Sequence, residues 1–125
     1  MVVDTSSWIE WLADSPVGSK IDALLPPRGD IVVPTMVQLE LTKWLLRERG
    51  EGAADEVLAY TEKCRVLALD TRIAVSAAEI CRRHGLTTAD AIIYASAQQA
   101  GVGLLTCDAH FEGLPGVTYL RKQGE

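Results

Sequence analysis

Apolar positions along this chain fall into two patterns, short continuous runs and stripes at helical spacing. The runs Met1 to Val3, Ile31 to Val33, Arg65 to Leu69, Gly103 to Thr106 and Val117 to Leu120 read as five strands. Between them, Thr5, Ser6 and Ser7 supply N-cap chemistry for a helix through Trp8, Ile9, Trp11 and Leu12. Pro16 to Leu25 forms a second short helix, closed by Pro26, Pro27 and Gly29. Thr35-x-x-Gln38 has the form of a capping box for a helix to about Arg49, with Val37, Leu41, Trp44 and Leu45 as its core stripe. Gly50 and Gly52 turn the chain into a helix that carries Ala54, Val57, Leu58 and Thr61 on one side. Asp70 and Thr71 cap the next, whose inward face is Ile73, Ala77, Ile80 and Cys81. Its cationic last turn, Arg82, Arg83 and His84, precedes Gly85, and this terminus accounts for His84. Leu86 to Ala97 opens a buried helix with Ala89, Ile92, Ile93, Ser96, Ala97 and Ala100 at i, i+3, i+4, i+7 spacing. Arg121 to Glu125 reads as a frayed tail.

Strands alternating with pairs of helices predict an α/β protein: a mostly parallel sheet of about five strands, covered on both faces in three α/β/α layers. A length of 125 residues suits a single domain over residues 1–125. No basic, apolar leader opens the chain, because Asp4 interrupts it, so a cytoplasmic protein is expected. The uncharged stretch 91–107 is broken by Gln98, Gln99, Gly101 and Gly103, which argues against a membrane span. Cys64, Cys81 and Cys107 are odd in number and lack C-x-x-C spacing, which disfavours disulfides and thiolate zinc sites. A net charge of −5 argues against a broadly basic nucleic-acid binder, but not against an enzyme whose acids gather around a cation.

Four acids are the candidate chemistry. Asp90 lies in the first turn of the buried helix, and no Lys or Arg stands three or four residues away. Thr87-x-x-Asp90 also fits a capping box, so this stretch alone leaves capping and chemistry open. Asp4 ends the first strand and could equally cap a helix. Glu40 sits beside a core stripe and could pair with Lys43. Asp108 ends the fourth strand. In a parallel sheet, the carboxyl ends of strands and the N-termini of following helices share one edge, so all four acids can converge there. Crowded carboxylates require a counter-charge, and a hard divalent cation such as Mg²⁺ or Mn²⁺ suits oxygen ligands.

The stretches VVDTSSWIEWL, PTMVQLEL, LTTADAIIYASA and LLTCDAHF resemble, in order and spacing, the four motifs of the PIN-domain nucleases. The nearest likeness is to the VapC-type toxins of toxin–antitoxin pairs, over Val2 to Leu120. The resemblance implies a Mg²⁺- or Mn²⁺-dependent endoribonuclease, whose catalytic acids would be Asp4, Glu40, Asp90 and Asp108. Asp4, Asp90 and Asp108 would hold the metal, Ser6 and Thr106 would support the site, and Glu40 would orient or deprotonate an attacking water or ligate the metal itself. Hydrolysis would leave a 5′-phosphate and a 3′-hydroxyl. Many relatives carry a further acid two residues after the last motif Asp; here that position is His110, a candidate for placing phosphate or water or for packing near Phe111. Lys43, Arg47, Arg82 and Arg83 are candidate phosphate contacts, which position RNA without reading its sequence. The resemblance also implies a protein antitoxin, for which Trp8, Trp11 and Trp44 offer an aromatic surface, and a homodimer.

Two rival enzymes fit poorly. A phosphate-accepting receiver needs paired acids after its first strand, and Thr5 and Ser6 stand there; an aspartate-nucleophile phosphatase needs an acid at Ser6. The long insertions expected of a DNA-threading nuclease are missing. The serious alternative is a PIN fold that binds RNA or a partner without cleaving.

Overall fold

The structure is a computed structural model and describes residues 1–122. The elements run β1 (Val2–Val3), α1 (Thr5–Leu12), α2 (Pro16–Leu24), β2 (Val32–Pro34), α3 (Thr35–Glu48), α4 (Glu51–Glu62), β3 (Arg65–Leu67), α5 (Thr71–His84), α6 (Thr88–Ala100), β4 (Leu104–Thr106) and β5 (Val117–Tyr119). Short 3₁₀ turns at Arg28–Asp30 and Ala109–Phe111 lead into β2 and out of β4.

All five strands are parallel, in the order β3-β2-β1-β4-β5. β1, β2 and β4 are buried throughout, as expected of inner strands covered on both faces. β3 lies at an edge with Arg65 and Val66 exposed, and it stops at Leu67 rather than at Leu69 as the apolar run suggested. The two faces of β4 show the layering directly. Leu104 belongs to the main core with α3, α5 and α6, while Leu105 packs with Val17 and Ile21 of α2. The fold is thus the expected three-layer α/β/α arrangement.

From β1 the chain winds outward to β2 and β3, then returns to lay β4 on the other side of β1 and finishes at β5. The winding direction reverses between β1 and β4. At such a reversal the loops leaving the two carboxyl ends diverge and open a crevice. α6 begins at that edge and runs away from it beneath the sheet, packed on α5, α3, β1 and β2. Every residue from Ala91 to Ala97 is buried, so the stripe predicted on this helix widens to its whole circumference. Such all-round burial marks a central helix.

Two predicted caps are corrected. α3 begins at Thr35 with Pro34 in the N-cap position, and the Thr35 hydroxyl accepts instead from the Leu69 amide at 3.2 Å. Gln38 donates to the Thr61 hydroxyl, so no capping box forms. In α1 the N-cap position falls on Asp4, not on Thr5, Ser6 or Ser7, and no side chain caps it. By contrast Thr87 caps α6, accepting from the Asp90 amide, Asp70 caps α5, and Gly85 closes α5 in the left-handed conformation. No helix among the described residues is long and apolar enough to cross a membrane.

Candidate metal centre

The crevice between β1 and β4 is built around Asp4, which is 3 % exposed. Its Oδ2 accepts two hydroxyl protons, from Ser6 Oγ at 2.7 Å and from Thr106 Oγ1 at 2.8 Å. Each hydroxyl has one proton, so both are committed, and their lone pairs are free to accept. Ser6 Oγ accepts from the Cys107 amide at 3.0 Å, and Thr106 Oγ1 from the Asp108 amide at 2.9 Å. The N-terminus of α1 is thereby fastened to the end of β4 through one carboxylate oxygen, which leaves Oδ1 outside the pair. The Asp4 carboxyl is pushed up to about 6: burial is the main cause, the neighbouring charges of Asp90 and Asp108 add to it, and the two hydroxyls oppose it.

Asp90 enters from the first turn of α6. The Thr87 hydroxyl accepts the Asp90 amide, and the Asp90 carboxylate is hydrogen-bonded to Thr87 as well as facing His110. It is half-buried, and burial followed by the charge of Asp108 raises its pKa, while a hydrogen bond with His110 leads the opposition. Asp108 follows β4 and accepts the His110 amide on Oδ1 at 2.9 Å, which starts the 3₁₀ turn. Asp90, Asp108 and His110 each bring one ligand atom into a group lying within 4.8 Å of one another. Glu40 joins from α3: its Oε1 accepts the Thr5 hydroxyl at 2.7 Å, in place of the pairing with Lys43 that the sequence allowed. Thr5 adjoins Asp4, so Glu40 is tied to the rim of the same site.

Asp4 and Asp90, both with raised pKa values, together with Asp108 and one imidazole, set in a crevice, form a donor set suited to a divalent cation. An oxygen-rich set with one nitrogen fits Mg²⁺, Mn²⁺ and later transition ions. Asp90, Asp108 and His110 present the clustered donors, and Asp4 lies near enough to feel the charges of Asp90 and Asp108.

A cleft of about 350 Å³ opens beside the site, lined by Ser6, Cys107, Asp108, Ala109, His110 and Lys122. Lys122 is the residue that sequence reasoning missed, because it was assigned to the tail. The Leu120 amide bonds Thr106 O at 2.8 Å, so β5 carries the chain to the same edge as the acids, a placement that the parallel topology would have indicated. Of the other cations, Arg47 pairs with Glu48, and Arg82 and Arg83 pair with Glu79, all on exposed helix faces. Residues 123–125 of the predicted tail lie outside the described residues.

The tryptophans divide. Trp8 is buried, with an indole N–H that has no partner among the described residues, while Trp11 and Trp44 are half-buried. Trp8 packs edge to face with both Trp11 and Tyr60, and these two rings tilt against each other, around a cleft of about 220 Å³ between α1 and α4.

Comparison with known proteins agrees with this architecture. The PIN-domain family profile matches residues 1–117, and the chain belongs to the PIN-domain family. A toxin–antitoxin complex from Klebsiella pneumoniae contains a chain of similar structure, with TM-score 0.79, 23% identity, and 97% of this chain and 98% of that one covered. VapC20 of Mycobacterium tuberculosis, described as a sarcin–ricin-loop-cleaving toxin, aligns at TM-score 0.76 with 23% identity over 96% of this chain and 98% of its own. DNA-bound VapBC from Salmonella typhimurium gives 0.71 with 18% identity and 96% of each chain. At these identities the likeness is one of fold. No functionally curated protein matches the chain in sequence.

Proposed function

We propose that this chain is a divalent-cation-dependent endoribonuclease, the toxin of a VapBC-type toxin–antitoxin pair. The observation that carries the reading is the cluster of Asp90, Asp108 and His110 at the β1–β4 reversal, with Asp4 close enough to feel the charges of both acids and Glu40 bonded to the neighbouring Thr5. In this reading Asp4, Asp90 and Asp108 hold Mg²⁺, with Mn²⁺ able to replace it. When bound, the cation supplies Lewis-acid polarisation of a phosphodiester and acidifies water. Ser6 and Thr106 keep Asp4 in place by spending their protons on it. Glu40, steadied by Thr5, orients an attacking water and takes its proton. The water oxygen bonds to phosphorus as the P–O3′ bond breaks, and the departing O3′ takes a proton from solvent, leaving a 5′-phosphate and a 3′-hydroxyl.

Phosphate contacts fall to Lys122 at the cleft and to Lys43, with Arg47, Arg82 and Arg83 farther out. The three arginines would exchange exposed ion pairs worth about 0–1 kcal/mol each for phosphates, so their present pairing is a weak obstacle. An antitoxin is the proposed protein partner, and the Trp11–Tyr60 cleft and Trp44 are its proposed contact surface; a homodimer acting in the cytoplasm completes the reading. Similar solved structures from toxin–antitoxin complexes support the partner.

The test is cleavage of structured RNA by the purified chain with Mg²⁺, with and without EDTA. Asp4→Asn, Asp90→Asn and Glu40→Gln are expected to lose about 10²-fold or more in rate, the scale of a lost acid–base or metal contribution. Cleavage that survives EDTA or the Asp90→Asn change would contradict the assignment. RNA binding without cleavage would favour a binding module.

A further inference from the structure

We propose that His110 is itself a ligand of the cation, so that this centre has mixed nitrogen and oxygen donors and favours Mn²⁺ and Co²⁺ over Mg²⁺. The inference rests on the metal-site reading above and goes beyond it in naming the ligand and the selectivity.

Distances carry the argument. His110 Nδ1 lies 3.3 Å from Asp108 Oδ1 and 3.5 Å from Asp90 Oδ2. Charge-assisted hydrogen bonds between nitrogen and carboxylate settle at about 2.7–2.9 Å, so the contacts of the imidazole with both acids are long ones. Donors that share one cation at bond lengths near 2.1 Å stand about 3.0 Å apart at an octahedral edge and about 3.4 Å apart at a tetrahedral one. Both observed separations suit a common ion between the groups better than a direct bond.

The surroundings agree. The side chain of His110 is 70 % exposed, whereas the adjacent Phe111 is fully buried, so packing of the turn is the work of Phe111. The Asp108 carboxylate holds the His110 amide and fixes the backbone of the turn that presents the ring. An imidazole in place of a carboxylate removes one negative charge and adds a borderline nitrogen donor. That exchange weakens a site for Mg²⁺, which seeks hard oxygen, and strengthens it for ions later in the Irving–Williams order.

The experiment compares the full chain with His110→Gln and His110→Asp, each loaded with Mn²⁺ and observed by pulsed EPR. Wild type is expected to show nitrogen-14 modulation that His110→Gln lacks, and His110→Gln should bind Mn²⁺ about tenfold more weakly with little change for Mg²⁺. His110→Asp should move the Mn²⁺/Mg²⁺ preference toward Mg²⁺. Nitrogen modulation absent from wild type, or unchanged in His110→Gln, overturns the assignment of His110 while Mn²⁺ binding and its loss in Asp90→Asn leave the metal site standing. If wild type binds no Mn²⁺ at all, the metal-site reading and this inference fall together.

Discussion

Asp4 concentrates the tension in this molecule. A carboxylate almost wholly out of water is held by two hydroxyls, yet burial outweighs them and the group keeps its proton up to about pH 6. Its ordinary value is 3.8, so the folded state binds the proton more tightly than the unfolded chain. The resulting stabilisation of the metal-free fold is fully present below about pH 4 and is lost as pH rises through about 6. Asn at this position can accept both hydroxyls without the charge. With chelator present, Asp4→Asn should therefore gain on wild type by about 1 kcal/mol between pH 5 and pH 7, or about 4 °C in melting temperature. Parallel melting temperatures across that range would show that Asp4 does not titrate as described. At this scale the sequence was only partly legible. Asp90 looked the same as a cap or as a functional acid, and only the structure shows that the Thr87 hydroxyl caps the helix while the Asp90 carboxylate also faces Asp108 and His110. Thr5 and Glu40 are 35 residues apart and each had a plausible local partner, so their bond was invisible.

Elements were easier to foresee because they obey local rules. The strand–helix order and the caps at Asp70, Thr87 and Gly85 all follow from short-range chemistry. Misreadings arose where a tertiary contact took a capping side chain for itself, as Leu69 did with Thr35 and Thr61 did with Gln38. The closeness of α1 and α2 was likewise hidden. Gly18 lies on Glu10, and a Cβ there would stand 2.6 Å from the Glu10 carbonyl oxygen, a backbone atom that cannot swing away. Gly18→Ala should thus cost about 1–3 kcal/mol despite the better helix propensity of alanine, measurable by urea unfolding. A neutral or stabilising result would mean that the two helices separate easily. In α6, Ile93→Ala removes a fully buried side chain from the central helix and should cost about 2–5 kcal/mol in the same assay.

For the molecule as a whole, strand order is what turns four scattered acids into one site. The sequence supplied the edge, since strand ends and following helices share it, but not which strands are neighbours. Placing β4 against β1 brings Asp108 and Thr106 to Asp4 across about a hundred residues of chain. Where the acids meet, burial and like charge raise the pKa values of Asp4 and Asp90. The most direct measurement is thermal melting at pH 7 against Mn²⁺, wild type beside Asp90→Asn. At a hundred times its dissociation constant the ion should add about 2.7 kcal/mol, close to 10 °C for a chain of this size. The account predicts that shift in wild type and its near disappearance in Asp90→Asn, with the metal-free variant no less stable than wild type because Thr87 supplies the cap. A wild type unmoved by Mn²⁺, together with an Asp90→Asn variant that is simply less stable, would contradict it and return Asp90 to a structural role.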